Sequence, residues 1–439
     1  MTSRISLREM PRSIRLPCNK IPRGTDKLLS HWSSTNKFAN NFIWIVKVST
    51  NPSQKKTGLL LAGGGARAAY QVGMLKAIST LLPRKAGNPF QVISGTSAGA
   101  INGTALAIYS SNFHTAVHRL VSVWENFHSD RVFRTDPWGV MLTGTRWLAT
   151  MMFGGLGRYN PHSLLDRSPL SDLLQTRLAF DRIQTAIDEG HLHALGITCS
   201  GYISGQSVTF YQGSPMIPPW RRARRIGYPT KIGLPHILAS SAIPLVFSAV
   251  KIKHEHFGDG SMRQIAPISP ALHMGADRVL IVGARNQPYD PARLKSEEYP
   301  SLAQIAGHVL NSIFLDSLEA DLERLGRVNK TVSLIPSHHL TEGNTTLRHV
   351  DVLVITPSQE LDEIAAKHAK LLPRTIRFLL KRIGATTPNG ANLISYLLFE
   401  QAYCQELISL GYHDALARKH EILAFLDVSP IHKINDNAA

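Results

Sequence analysis

The sequence predicts an α/β protein built on a mainly parallel sheet, and three features carry that expectation. Two short apolar runs, Leu59–Leu61 and Phe90–Ser94, each end in glycine, at Gly63 and Gly95. Each run leads into a helical stretch, over 66–82 and 98–109. Strand, glycine turn and helix then repeat within about fifty residues, which suits a parallel sheet because parallel neighbours need a crossover that packs back on it.

The remaining elements follow in order. The stretch 110–193 is apolar and interrupted by loop breakers, and it is expected to be mostly helical. Strands are expected over 194–200, 207–211, 245–252 and 278–283, with short helices over 235–241 and 267–275. Near the C-terminus, Ile394, Leu397 and Leu398, then Cys404, Leu407 and Ile408, recur at i, i+3, i+4, so that part is expected to be helical. The chain is therefore divided into a basic extension (1–56), an α/β domain (57–330) and a mainly helical extension (331–439). The first of these lacks periodicity and is broken by Pro11, Pro17, Pro22 and Gly24, so it is expected to be disordered. Its Arg- and Ser-rich, acid-poor make-up also has something of an organellar transit peptide.

At 43% hydrophobic and 18% charged residues, 439 residues can bury a large core, which excludes disorder throughout. No run of eighteen apolar residues occurs, so no membrane-spanning helix is expected. Cys18, Cys199 and Cys404 match no metal spacing, which favours a reduced, cytoplasmic protein. Residues 1–56 hold +9 of the net charge of +17, and such a balance suits an anionic partner. No zinc-finger spacing, RNP-like stretch or basic region leading into heptads is present, so nucleic acid is set aside in favour of an anionic membrane surface.

Gly95-Thr96-Ser97-Ala98-Gly99 fits G-x-S-x-G between an expected strand and an expected helix. A serine on such a turn is strained and accessible, and the helix start aims its positive dipole end at the site. The same letters can merely cap a helix; the strand and helix around them make Ser97 the candidate nucleophile. Acyl transfer also needs donors for the oxyanion, and Gly63-Gly64-Gly65 offers backbone N–H groups with no Cβ in the way. Arg67 follows in the same turn, placed to brace the loop or balance developing charge. A dinucleotide loop is disfavoured because Ala68 replaces the last glycine, and no Lys-Ser/Thr makes it a P-loop.

The serine needs a base. Asp259, in Phe257-Gly258-Asp259-Gly260-Ser261, is one candidate, and His254, His256 and His273 are others. Ser97, Asp259 and His273 even follow the chain order of the α/β-hydrolase triad.

Gly-Gly-Gly-Ala-Arg at 63–67, Gly-Thr-Ser-Ala-Gly at 95–99 and Asp-Gly at 259–260 together resemble the signature of the patatin-like phospholipases. Ala239-Ser240-Ser241-Ala242-Ile243-Pro244 extends the likeness, which covers roughly 57–285. Helices from about Leu393 resemble C-terminal extensions of bacterial members. The resemblance implies a three-layer α/β/α sandwich and a Ser97–Asp259 dyad without histidine. It also implies an oxyanion hole at Gly63–Gly65, and phospholipid or lysophospholipid esters as substrates. A serine hydrolase mechanism of this kind is expected to use no metal and no cofactor. The chain departs from the pattern at Ala68, and at Ser261, whose hydroxyl is placed to bond near the base. A histidine-triad esterase and a catalytically silent lipid binder are the rival expectations. Two segments are candidates to face lipid. Gly139–Gly157, with Met141, Trp147, Met151, Met152 and Phe153, would form an acyl cap or else ordinary core. Trp220-Arg221-Arg222-Ala223-Arg224-Arg225 would form a peripheral membrane patch or else a solvated loop with scattered salt bridges.

Overall fold

The computed structural model describes residues 55–136, 145, 152, 163–283, 299–314, 316–342, 347–382, 384–385 and 391–428. The proposed acyl cap lies outside the described residues apart from Thr145 and an exposed Met152.

A mixed, mostly parallel sheet organises the chain. Its strands are β1 (Thr57–Leu61), β2 (Val92–Thr96), β3 (Ala194–Gly201), β4 (Ser207–Gly213), β5 (Trp220–Arg222), β6 (Arg225–Pro229), β7 (Val250–Ile252), β8 (Glu255–Asp259), β9 (Arg278–Val282) and β10 (Asp351–Ile355). Their order is β10-β9-β1-β2-β3-β4-β6-β5, with β8 on β3 and β7 on β8. From β10 to β3 every pairing is parallel. These inner strands are apolar runs rather than alternating ones, as burial on both faces requires.

Helices α1 (Ala69–Leu81) and α2 (Ala98–Ile108) follow the first two strands. Before β3 come α3 (Phe113–Trp124), α4 (Ser168–Arg177) and α5 (Asp181–Asp188). Between β6 and β9 lie α6 (Leu234–Ser240) and α7 (Ser269–His273). After β9 come α8 (Leu302–Phe314), α9 (Asp316–Ser333) and α10 (Ser337–Glu342). Beyond β10 are α11 (Leu361–His368), α12 (Arg374–Arg382), α13 (Ala391–Leu397), α14 (Gln401–Ala417) and α15 (Lys419–Phe425).

Side chains alternate across the sheet and so feed two cores. Leu59, Leu61, Ile93, Leu195 and Ile197 face one, together with residues of α1–α3 and of α13 and α14. Leu60, Val92, Val279 and Ile281 face the other, with Ile268, Ala271 and the apolar side of α9. The result is the expected three-layer sandwich.

Several elements differ from the sequence reading, among them β5 and β6, which no expected strand covered. The strand expected over 245–252 is confined to Val250–Ile252, since Leu245 has φ 65°, outside extended geometry. β10 joins the parallel sheet beside β9 from within the stretch read as mainly helical. Its Asp351-Val-Leu-Val-Ile pattern is a short β-branched run that the surrounding helical periodicity obscured.

Candidate active site

The register of β3 brings the two candidate reacting residues together. β2 runs parallel to β3 and ends with Thr96 opposite Thr198. β8 runs antiparallel to β3 and ends with Asp259 opposite Cys199. The two strands thus approach each other head-on along one edge of β3, and Ser97, the next residue of β2's chain, meets Asp259. A pair 162 positions apart in sequence is therefore fixed by backbone pairing rather than by flexible side chains.

Ser97 sits at φ 54°, ψ −127°, between β2 and α2. Such a conformation costs on the order of 1–3 kcal/mol and persists only where the surroundings enforce it. They do so here. Its amide donates to Ser240 Oγ at 2.9 Å, and Ser240 Oγ donates to Thr198 O at 2.7 Å. Gly99 lies so close to β1 that a Cβ there would stand 2.2 Å from Leu61 O, so the last position of the motif admits no side chain. Ser240 belongs to the Ala-Ser-Ser-Ala-Ile-Pro stretch, but nothing in sequence linked it to Ser97.

Asp259 is fully buried. Burial pushes its carboxyl up to about 6, against the opposing pull of the Ser97 hydroxyl, of Ser261 and of the Arg167 guanidinium. Ser261 N donates to Oδ1 at 3.0 Å. Oδ2 has no completed hydrogen bond. The Ser97 hydroxyl stands near enough to stabilise the ionised carboxyl without reaching hydrogen-bond geometry, as is common for catalytic pairs without substrate. Arg167, which sequence reasoning passed over, is anchored by the carbonyls of Leu238 (2.5 Å) and Ser248 (2.6 Å). Burial lowers its own pKa to about 10.

The glycine loop enters a 3-10 turn over Gly65–Ala68. Gly65 has φ +55°, and a Cβ there would lie 2.3 Å from Tyr396 O, so this position needs glycine twice over. Gly65 and Ser97 line the same cavity. Arg67, by contrast, does not point into it. Its amide donates to Gly64 O at 3.1 Å. Its guanidinium bonds Ser395 Oγ and Asn392 Oδ1, both at 2.8 Å, pairs with Asp362, and lies 4.1 Å over the Tyr396 ring. Of its two expected roles, bracing the loop is the one these contacts match.

The cavity has a volume of about 610 Å³, within the range of small-molecule sites. Ser97 and Gly65 lie at one end, and most of the wall is apolar, including Ile101, Val123, Leu174, Phe247 and Phe399. None of the three histidines considered as bases acts on Asp259 or lines this cavity. His254 and His256 are exposed on the β7–β8 hairpin. His273 stacks on Trp220 at 4.9 Å, and burial with nearby Arg222, Arg225 and Arg348 lowers its pKa to about 4. His114 and His118 of α3 do line the cavity.

The proposed membrane patch is corrected in one respect. Trp220 is buried, stacked between Tyr211 and His273, so it is not presented with the arginines. Arg221, Arg222 and Arg224 are exposed. Among the described residues, no group of His, Cys, Asp and Glu is arranged to hold a metal, and no helix is long and apolar enough to cross a membrane.

A strained serine opposite a buried carboxyl, beside an apolar cavity, defines a class of α/β protein suited to nucleophilic acyl chemistry. Over residues 59–272 the chain matches the family described as patatin-like phospholipase, a family of carboxylic ester hydrolases. Among curated proteins it is similar to Lysophospholipase nte1 of Aspergillus terreus, with 47% identity over 53 residues, 12% of this chain and 3% of that protein. It is also similar to Neuropathy target esterase sws of Drosophila persimilis, with 36% identity over 98 residues, 22% of this chain and 6% of that protein. The matched stretches thus span only a few per cent of these relatives' length. Among solved structures, VipD from Legionella pneumophila overlaps 85% of this chain and 67% of its own at 11% identity and a TM-score of 0.32. The type III effector ExoU overlaps 78% and 77% at 18% identity and a TM-score of 0.27.

Proposed function

We propose that this chain hydrolyses acyl esters of phospholipids or lysophospholipids through an acyl-Ser97 intermediate, with Asp259 as the sole base. The observation that carries the reading is the head-on meeting of β2 and β8 on β3, which sets a strained serine against a buried carboxyl. Ser97 Oγ attacks the ester carbonyl while its proton passes to Asp259 Oδ2. The oxyanion is held by backbone amides of the Gly63–Gly65 loop, a contribution of roughly 10²–10³ per donor. The tetrahedral intermediate collapses, the C–O bond breaks, and Asp259 returns the proton to the leaving alcohol. Water then attacks the acyl-enzyme, giving its proton to Asp259, and the fatty acid leaves with Ser97 restored. An Asp pKa of about 6 suits both directions of transfer near neutral pH. No metal or organic cofactor enters these steps.

A fluorophosphonate probe tests the nucleophile. It should add covalently to the wild type and not to Ser97→Ala, and labelling that survives the substitution removes Ser97 from the mechanism. We further propose peripheral contact with an anionic membrane surface through Arg221, Arg222 and Arg224, from a cytoplasmic location that suits the free thiols of Cys199 and Cys404. Replacing the three arginines by Gln should weaken sedimentation with anionic vesicles at low salt; unchanged sedimentation rules the hairpin out as the contact.

A further inference from the structure

The end of the cavity away from Ser97 has a character that ester hydrolysis does not require. Ala98, Ile101, Ala105 and Tyr109 all line the cavity and recur at i, i+3 and i+4, so the cavity follows one face of α2 along its length. From Ser97 to Tyr109 that face extends about 18 Å, slightly more than the roughly 15 Å of one leaflet's hydrocarbon. The cavity is therefore about one long acyl chain in length.

Its far end is basic. His114, His118 and Arg119 on α3 and Arg177 at the end of α4 also line the cavity, the last three of them exposed to solvent. Arg119 lies 4.6 Å over the Tyr109 ring, and Arg182, at the start of α5, lies 4.9 Å from the same ring. Two guanidinium groups thus share one aromatic ring where the apolar wall ends. Among the described residues none of these five groups forms an ion pair with an acid, and α3 contains no acid at all. Scattered surface arginines need no explanation; several exposed ones at the rim of a hydrocarbon-lined cavity form a polar terminus matched to an amphiphile.

We propose that this terminus is a carboxylate seat. Arg119 and Arg177, with Arg182 behind Tyr109, hold the head group of a long-chain fatty acid whose tail lies along α2 toward Ser97. A fatty acid so placed is reversed relative to an acyl chain esterified at Ser97. The product of the proposed hydrolysis would then compete with its own substrate for the same apolar space. The seat itself does not depend on turnover, so its test is a binding measurement.

Calorimetric titration of the full chain with dodecanoate and with dodecanol, both below their aggregation limits, compares the same tail with and without the charge. Charge-assisted hydrogen bonds should make dodecanoate bind about tenfold tighter or more. In Arg119→Gln/Arg177→Gln the preference should shrink to about twofold, with dodecanol affinity reporting that the cavity is intact. Equal binding of acid and alcohol to the wild type overturns the proposal. A preference that persists in the double variant also overturns it, because the carboxylate would then sit elsewhere, including at the Gly63–Gly65 loop. Dodecyl phosphate binding much tighter than dodecanoate would reassign the seat to a phosphate head group and overturn its assignment to a carboxylate. Loss of esterase activity would leave these titrations interpretable, and a failed titration would leave the hydrolase reading standing.

Discussion

Ser97 and Arg67 are both buried polar residues on loops that leave neighbouring strands of one sheet, yet they draw on different lengths of chain. Everything that positions Ser97 comes from 61–261: Leu61 against Gly99, the end of β3, Ser240 and Asp259. Arg67 is held by Asp362, Asn392, Ser395 and Tyr396, about three hundred positions later. The proposed reacting pair is thus contained in the segment that matches the family, while the glycine loop beside it is clamped by helices outside that segment. Chemistry and the rigidity of its surroundings are encoded separately in this chain.

The sharpest break in that comparison concerns Asp259. Asp259→Asn keeps the shape and removes the base, so ester hydrolysis should fall by on the order of 10³ or more, while the fold and the Arg67 clamp stay intact. His254→Ala, His256→Ala and His273→Ala should each remain within about tenfold of wild type. A histidine variant as inactive as Asp259→Asn would replace the dyad with a triad. The same carboxylate sets the acid limb of the pH profile. kcat/KM should fall as pH drops below about 6, because protonated Asp259 cannot accept the serine proton. A profile flat from pH 5 to 8 would show that Asp259 is not the base.

Next in size is the clamp. Arg67→Met keeps the stem but leaves Asp362, Asn392 and Ser395 without their shared donor, which should cost about 3 kcal/mol, at the low end for a broken buried pair because Asp362 is partly exposed. Chemical denaturation measures that loss. If the loop depends on its clamp, kcat should drop with KM little changed, whereas a purely structural Arg67 would lower stability and leave kcat alone.

The same contrast explains what was legible in the sequence. Ser97, Gly63–Gly65 and Asp259 each sit in a short motif whose letters are dictated by backbone geometry, such as Gly99 against Leu61 O. Local constraints leave local signals. Arg167 and Ser240 carry no such mark, since their roles arise from carbonyls and strand ends that meet only after folding. Trp220 beside four arginines looked like an interfacial patch, but pairing of β5 with β6 turns its ring inward onto Tyr211 while Arg221, Arg222 and Arg224 stay outside. β10 was hidden because a five-residue strand gives little periodicity of its own among the helical stretches before and after it.

A third expectation bears on what the reacting pair costs the fold. The Asp259 carboxyl has a pKa of about 6 when folded, against roughly 3.9 in an unfolded chain. Between those values the folded state binds a proton that the unfolded state has lost, so stability falls as pH rises from about 4 to 6 and stays lower above. The full difference is about 3 kcal/mol. Asp259→Asn has no such titration. Its stability relative to wild type should therefore improve by about that amount between pH 4 and pH 7 in denaturant melts, and a constant difference would mean that Asp259 is not strained by burial.

The smallest effect separates the two ways Tyr396 supports the clamp. Its hydroxyl donates to Asn311 Oδ1 at 2.7 Å, tying α13 to α8, while its ring lies under Arg67 and stacks on Phe314 at 5.2 Å. Tyr396→Phe removes only the hydroxyl bond, which should cost about 1 kcal/mol of stability and leave kcat unchanged. Tyr396→Leu also removes the cationic contact and the stacking, adding roughly 1–2 kcal/mol. Because Tyr396 O lies against Gly65, a ring change that shifts α13 also loosens the glycine loop, so kcat should fall severalfold in this variant alone. Equal kcat in both variants would mean that the loop holds its shape without α13, and the separation between reacting pair and clamp would then be a matter of stability only.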